Sequence, residues 1–188
     1  MRVALNIDTN HLIEHLRGIT NSSAKLRADS RQIEFGDIFF AYPVGHGNAK
    51  LDGRQYIQAA LDQGAAAVIY DPVGFDSAFT DHPLCFAVPD LSIKAGELCA
   101  QWYDHPSKHL KMIGVTGTNG KTTITQWLAQ ALNTATHRAA VLGTLGTGFP
   151  ESLVQTGYTT PDAPKLQTQL KELLNAGASQ VAMEVSSH

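Results

Sequence analysis

A chain of 188 residues with 43% hydrophobic content can bury one large core or two small ones, and its formal net charge of −3 gives no basic field for a nucleic acid. Any anionic ligand must therefore be held by local groups. Cys85 and Cys99 show neither a C-x-x-C nor a Cys/His ligand spacing, so both read as reduced, buried small hydrophobes and no zinc site is expected.

Residues 1–8 carry too short an apolar run for a signal peptide, and no stretch is long enough to span a membrane, so a cytoplasmic location is expected. Asp8 or Thr9 can cap a helix to Arg17, with Leu12, Ile13 and Leu16 on its buried face and Gly18 as its stop. A short strand over residues 25–28 leads into Asp29-Ser30-Arg31, which reads either as a capped turn or as a nucleotide-sugar contact. Phe35-Gly36-Asp37 is a turn, residues 38–42 have the character of a central strand, and Pro43 ends it. The loop over residues 44–52 holds His46, Gly47 and Asn48, able to present an imidazole and backbone groups to a ligand. A solvated loop histidine is the plainer reading.

Residues 54–63 are helical, with Tyr56, Ile57, Ala60 and Leu61 on one side and Gly64 as the end. Residues 66–70 follow as an alanine- and valine-rich strand, and this strand–helix–strand order predicts a parallel crossover. Another strand spans residues 84–88. Asp90 then caps a helix whose Leu91, Ala95, Leu98 and Trp102 form a core stripe. Proline and polar residues over 104–109 break the pattern, which places a domain boundary near residue 108.

An apolar run ending near Val115, composed like a buried strand, gives way to Gly117, Gly120, Lys121 and Thr122. A helical pattern follows in which Ile124, Leu128, Ala131 and Leu132 recur at three- and four-residue spacing. Strand, glycine loop and helix in that order form the context of a phosphate-binding loop, although Val115 stands where the generic G-x-x-x-x-G-K-[ST] pattern has its first glycine. Backbone N–H groups converging at a helix N-terminus offer a polyphosphate both donors and the positive end of a dipole. Lys121 can reach the outer phosphates, and the Thr122 hydroxyl can ligate the accompanying Mg²⁺.

Residues 139–142 read as a second strand, and the glycine- and threonine-rich run to residue 158 as a segment not regular throughout, of a kind that carries ligand contacts. Pro161-Asp162 opens a helix with Pro164 in its first turn, Leu166, Leu170, Leu173 and Leu174 on its apolar face, and Gly177 at its close. Residues 180–185 form a final buried strand. Glu184 near its end is expected to serve Mg²⁺, against the plainer reading of a glutamate on a rim. Ser187 and His188 point to opposite faces of an extended segment and do not suggest a serine nucleophile.

The run Thr116-Gly-Thr-Asn-Gly-Lys-Thr-Thr is more specific than a generic phosphate loop and resembles the signature of the Mur ligases and their folylpolyglutamate synthase relatives. Those enzymes join an amino acid to a carboxylate at the expense of ATP. Thr159-Thr-Pro-Asp, Met183-Glu-Val-Ser-Ser-His, Asp29-Ser-Arg, Gly36-Asp-Ile-Phe, Gly45-His and Asp52-Gly-Arg are similar to segments of the Mur ligases that add the third peptide residue to a UDP-linked muramoyl dipeptide.

The resemblance implies an α/β chain: an N-terminal α/β UDP-sugar-binding domain over residues 1–108, then an incomplete parallel-sheet P-loop ATPase domain over 109–188. It implies that ATP phosphorylates the muramoyl-peptide carboxylate and that the amine of an amino acid attacks the acyl phosphate. By the same resemblance Gly117, Thr118, Asn119, Gly120, Lys121, Thr122 and Thr123 hold ATP, Lys121 and Glu184 act in catalysis, and Thr122 and Glu184 serve Mg²⁺. Ala28, Ser30, His46, Gly47 and Asn48 meet the uridine end of the substrate, and Tyr158, Thr159, Thr160 and Ser186 its phosphate or muramoyl end. A monomer without nucleic-acid or membrane partners is expected. A folylpolyglutamate-type ligase and a non-catalytic UDP-sugar-binding fragment are the alternatives, separable by whether UDP or folate protects the protein thermally. Only three strands are legible after residue 108. The sheet there is expected to be short, residues 109–188 to exchange amide hydrogens earlier than 1–108, and the chain by itself not to ligate.

Overall fold

A computed structural model describes residues 9–44, 51–75, 78–157 and 159–186. The chain divides into two compact units, Met1–Trp102 with Ala163–Lys165, and Tyr103–Asp162 with Leu166–His188. Among the described residues no helix is long and apolar enough to cross a membrane.

In the first unit, α1 (Thr9–Ile19) is followed by β1 (Leu26–Arg27), β2 (Ile38–Ala41), β3 (Pro43–Val44), β4 (Leu51–Asp52), α2 (Ile57–Asp62), β5 (Ala67–Tyr70), β6 (Cys85–Ala87) and α3 (Leu91–Trp102). A four-stranded sheet runs in the order β1-β2-β5-β6 with every pairing parallel. The inner strands β2 and β5 are buried along their whole length, which is why they read as unbroken apolar runs rather than alternating ones. Phe39, Ala41, Val68 and Tyr70 pack with Ile57 and Ala60 of α2 in one core cluster. Their neighbours Ile38, Phe40, Ala67 and Ile69 alternate onto the opposite face and are equally buried. Fully burying a side chain of leucine or phenylalanine size stabilises by about 1.5–3 kcal/mol, so these two strands anchor the unit.

The Asp37 carboxylate, 4% exposed, accepts from the Lys25 and Glu34 N–H groups at 3.0 and 3.2 Å and from Arg27 Nε at 2.9 Å, which fixes where β1 and β2 begin. Cys85 and Cys99 are free and buried. Three details depart from expectation. α1 continues past Gly18 to Ile19. Pro43 does not end the extended chain but opens a two-residue antiparallel pairing of β3 with β4. Tyr56 lies in a 3₁₀ turn ahead of α2 and is 48% exposed, so it is not on the buried side of that helix.

The second unit holds β7 (Lys111–Val115), α4 (Lys121–Leu132), β8 (Arg138–Gly143), β9 (Gly146–Phe149), β10 (Ser152–Val154), α5 (Ala163–Asn175) from Leu166 onward, and β11 (Ala178–Glu184). Its sheet has five strands in the order β10-β9-β8-β11-β7, not the three strands legible in the sequence. β8, β11 and β7 are parallel, and the β9–β10 hairpin adds antiparallel pairs at one side. The hairpin falls in the stretch expected to be irregular.

α5 covers one face, where Leu170 and Leu173 meet Leu142, Val181 and Met183. α4 covers the other, through Ala129, Leu128 and Leu132 on Ala139, Val141 and Ala182. Two expectations are corrected. β7 lies at the sheet edge and is only partly buried, because β11 flanks it on one side alone among the described residues. The buried face of α4 is Thr125, Leu128, Ala129 and Leu132, while Ile124 is 44% exposed and Ala131 is also exposed.

Candidate functional site

In the second unit the carboxyl ends of β7, β8 and β11 converge, the end of a parallel sheet at which ligands ordinarily bind. The exposed loop of residues 116–120 joins β7 to α4 through Gly117 at φ +142° and Gly120 at φ +80°, backbone that favours glycine. Gly120 is the N-cap of α4, and no side chain caps the helix there. The first-turn N–H donors of α4 are thus not taken up by a capping group, as an anion site requires. Lys121 folds back over the loop, its Nζ donating to the Gly117 carbonyl at 2.7 Å.

Glu184 closes β11 with 1% of its surface exposed. Its Oε2 accepts from Thr122 Oγ1 at 3.0 Å and from Thr144 Oγ1 at 3.1 Å, while Oε1 accepts from the Thr144 N–H at 2.9 Å. All three donors are neutral, so among the described residues it is hydrogen bonds that relieve the burial of this carboxylate. A carboxylate and two threonine hydroxyls form an all-oxygen set, the chemistry that suits Mg²⁺. Thr125 is buried in the same turn, its hydroxyl satisfied by the Lys121 and Thr122 carbonyls at 3.1 and 2.9 Å.

The segment after β10 completes the cluster. Thr159 Oγ1 lies 3.1 Å from Thr144 Oγ1, and Thr160 Oγ1 donates to the Glu184 carbonyl at 3.3 Å while accepting from the Ser186 N–H at 2.9 Å. The structure therefore gathers Lys121, Thr122, Thr159, Thr160, Glu184 and Ser186, which are scattered through the sequence. Tyr158 lies outside the described residues. An open recess lined by Lys111, Thr134, His137, Ser179 and Gln180 sits at the amino ends of β7 and β11 and takes no part in this cluster.

The residues expected at a uridine end fall in the first unit. Ala28 is half-buried after β1, and Ser30 is buried in a 3₁₀ turn capped by Asp29, whose side chain accepts from the Arg31 N–H. His46, Gly47 and Asn48 lie outside the described residues.

Two positions of the cluster escaped the sequence reading. Thr144 contacts Glu184 through both its backbone and its hydroxyl. Gly143 makes room for that carboxylate, since a Cβ there would stand 2.7 Å from Glu184 Cδ. The available signal was a glycine–threonine pair directly after the apolar run of β8.

Residues 115–188 match the family model described as the Mur ligase middle domain. The chain is also 47% identical over 178 residues to the UDP-N-acetylmuramoyl-L-alanyl-D-glutamate–2,6-diaminopimelate ligase of Ralstonia nicotianae, a match covering 94% of this chain and 35% of that protein. The chain belongs to the Mur ligase family. The ligase of the same name from Neisseria meningitidis is 48% identical over 168 residues, covering 87% of this Mur ligase chain and 32% of the Neisseria protein. The chain thus spans about a third of the length of these curated relatives. A solved ligase of that name superposes with a TM-score of 0.68 at 32% identity, covering 94% of this chain and 36% of its own. The MurF ligase of Thermotoga maritima, solved in complex with ADP, shares the fold at a TM-score of 0.59 and 20% identity, over 88% of this chain and 33% of its own.

Proposed function

We propose that this chain serves the reaction for which its relatives are named, the ATP-dependent joining of an amino acid to UDP-N-acetylmuramoyl-L-alanyl-D-glutamate in peptidoglycan synthesis. The observation that carries the reading is the hydrogen bond from Thr122, in the first turn after the phosphate loop, to the buried carboxylate of Glu184. In the proposed reaction the terminal phosphoryl group of ATP passes to the muramoyl-peptide carboxylate. An amine then attacks the acyl phosphate, an amide bond forms, and phosphate leaves.

Residues 117–123 hold the polyphosphate through backbone N–H groups, and Lys121 turns from the Gly117 carbonyl to the outer phosphates. Thr122 and Glu184 hold Mg²⁺, which when bound supplies positive charge against the transferring phosphoryl group. These contributions are positional and electrostatic rather than covalent. Thr159, Thr160 and Ser186, gathered beside Glu184, face the phosphate or muramoyl end of the substrate. Residues 1–108 take its uridine end through Ala28, Ser30 and the loop of His46, Gly47 and Asn48, and residues 109–188 take ATP. The reading carries with it a cytoplasmic monomer.

Calorimetry on Lys121→Ala tests it. ATP binding is expected to be lost while affinity for the UDP-muramoyl dipeptide is unchanged, because the two ligands are assigned to different units. Equal loss of both would overturn the assignment.

A further inference from the structure

One residue outside the phosphate loop fixes how the Glu184 carboxylate is turned. The Thr144 N–H holds Oε1 at 2.9 Å and the Thr144 hydroxyl holds Oε2 at 3.1 Å, so a single residue grips both oxygens. Only Oε2 is shared with the loop side, through Thr122 at 3.0 Å. The sheet sets this up: β8 and β11 are neighbours with Leu142 opposite Met183, so the residues that end the two strands, Gly143 and Glu184, come side by side. The missing side chain at Gly143 then leaves the carboxylate its place, and Thr144 closes over it. The Thr144 hydroxyl is itself supported by Thr159 at 3.1 Å.

We propose that Thr144 is a positioning residue, aiming the Glu184 carboxylate at Thr122 and at the divalent cation of the nucleotide site. The proposal rests on the nucleotide reading of the loop. The last torsion of a glutamate side chain is soft, so without a grip on both oxygens the carboxylate turns freely. Groups that orient a metal-ligating carboxylate typically carry about 10- to 100-fold in metal affinity. Valine at position 144 keeps the shape and the backbone N–H but lacks the hydroxyl, whereas serine keeps it.

The test is a Mg²⁺ titration of ATP binding by calorimetry on the whole chain. Thr144→Val is expected to raise the Mg²⁺ concentration for half-maximal binding about tenfold, with affinity for metal-free ATP unchanged and Thr144→Ser close to the unsubstituted protein. An unchanged Mg²⁺ requirement in Thr144→Val would overturn the proposal. Thr144→Ala answers the same question should valine prevent folding. If the unsubstituted chain binds no ATP at any Mg²⁺ concentration, the nucleotide reading fails, and crystal structures decide the positioning role separately. In Thr144→Val the Glu184 carboxylate is expected to rotate out of hydrogen-bonding distance of Thr122, and a carboxylate that stays in place refutes the role.

Discussion

Asp29-Ser30-Arg31 and Asp52-Gly53-Arg54 are the same small motif built twice, and burial separates what the two contribute. In each, the aspartate caps a 3₁₀ turn through the arginine N–H and also takes that guanidinium on both oxygens, at 2.9 and 2.8 Å from Arg31 and at 2.8 Å twice from Arg54. The Arg31 side chain is 87% exposed and that of Arg54 is 7% exposed. The Arg31 hydrogen bond holds the Asp29 carboxyl below its usual 3.8. The small stabilisation this brings is therefore present above that pH and is lost as pH falls through the lowered value.

Arg54 also donates to the Asp71 and Val73 carbonyls at 3.1 and 2.7 Å and lies over the Phe75 ring at 4.8 Å. Removing it takes the guanidinium away from the Asp52 carboxylate and from the Asp71 and Val73 carbonyls. Arg54→Ala is expected to cost about 3–5 kcal/mol in urea unfolding, and Arg31→Ala at most about 1 kcal/mol. Equal losses would show that burial does not govern the difference. The first was legible in the sequence as a capped turn, the second only as a segment similar to the Mur ligases. Which one is buried was not, because the Arg54 environment is completed by residues beyond β5.

At the scale of elements, the glycines between β8 and α5 hid a hairpin by looking like a loop. Gly146 and Gly148 sit at φ +137° and +143°, and a Cβ on them would come within 2.5 Å of the Val154 carbonyl oxygen and 2.6 Å of that of Ser152. They are glycine because β10 folds straight back against them, a close approach that composition does not reveal. The buried stripe of α4 departs from the sequence pattern for a related reason. The small residues Ala139 and Ala182 receive Ala129, and Thr125 can be buried because its hydroxyl bonds back to its own helix, so packing rotates the stripe away from Ile124. By contrast α3, α5 and β2 were legible, since their strong apolar patterns agree with the packing they meet. Gly148→Ala is expected to destabilise by about 1–3 kcal/mol from backbone strain, with the steric clash in addition. Gly96→Ala, inside α3 with nothing within 4 Å of the added Cβ, is expected to stabilise by about 0.5–1 kcal/mol. Denaturant midpoints of the two variants check both signs, and a stabilised Gly148→Ala would refute the hairpin geometry.

Across the whole molecule, the two sheets differ less in their cores than at one margin. Apart from the exposed Arg138 and the half-buried Ser179, β8 and β11 are as deeply buried as β2 and β5, so their central amides are expected to be comparably protected. β7 is different: it pairs with β11 alone among the described residues, and its burial is only partial. On the helix that follows it, Ile124 is 44% and Trp127 67% exposed, and Val185 beyond β11 is 39% exposed. A strand with one free edge and a helix with apolar residues in water lose little on opening locally, because less surface is exposed that was not exposed already. Hydrogen exchange is therefore expected to appear first over Lys111–Val115 and Lys121–Leu132, and much later over Ile38–Ala41 and Ala67–Tyr70. The two tryptophans give an independent measurement. Trp127 should be quenched readily by acrylamide in the native protein, while Trp102, 9% exposed, should be quenched only on unfolding. Late exchange in β7 and α4 together with a shielded Trp127 would mean that in solution this margin is covered, and the ranking of local stability argued from the open edge would then be wrong.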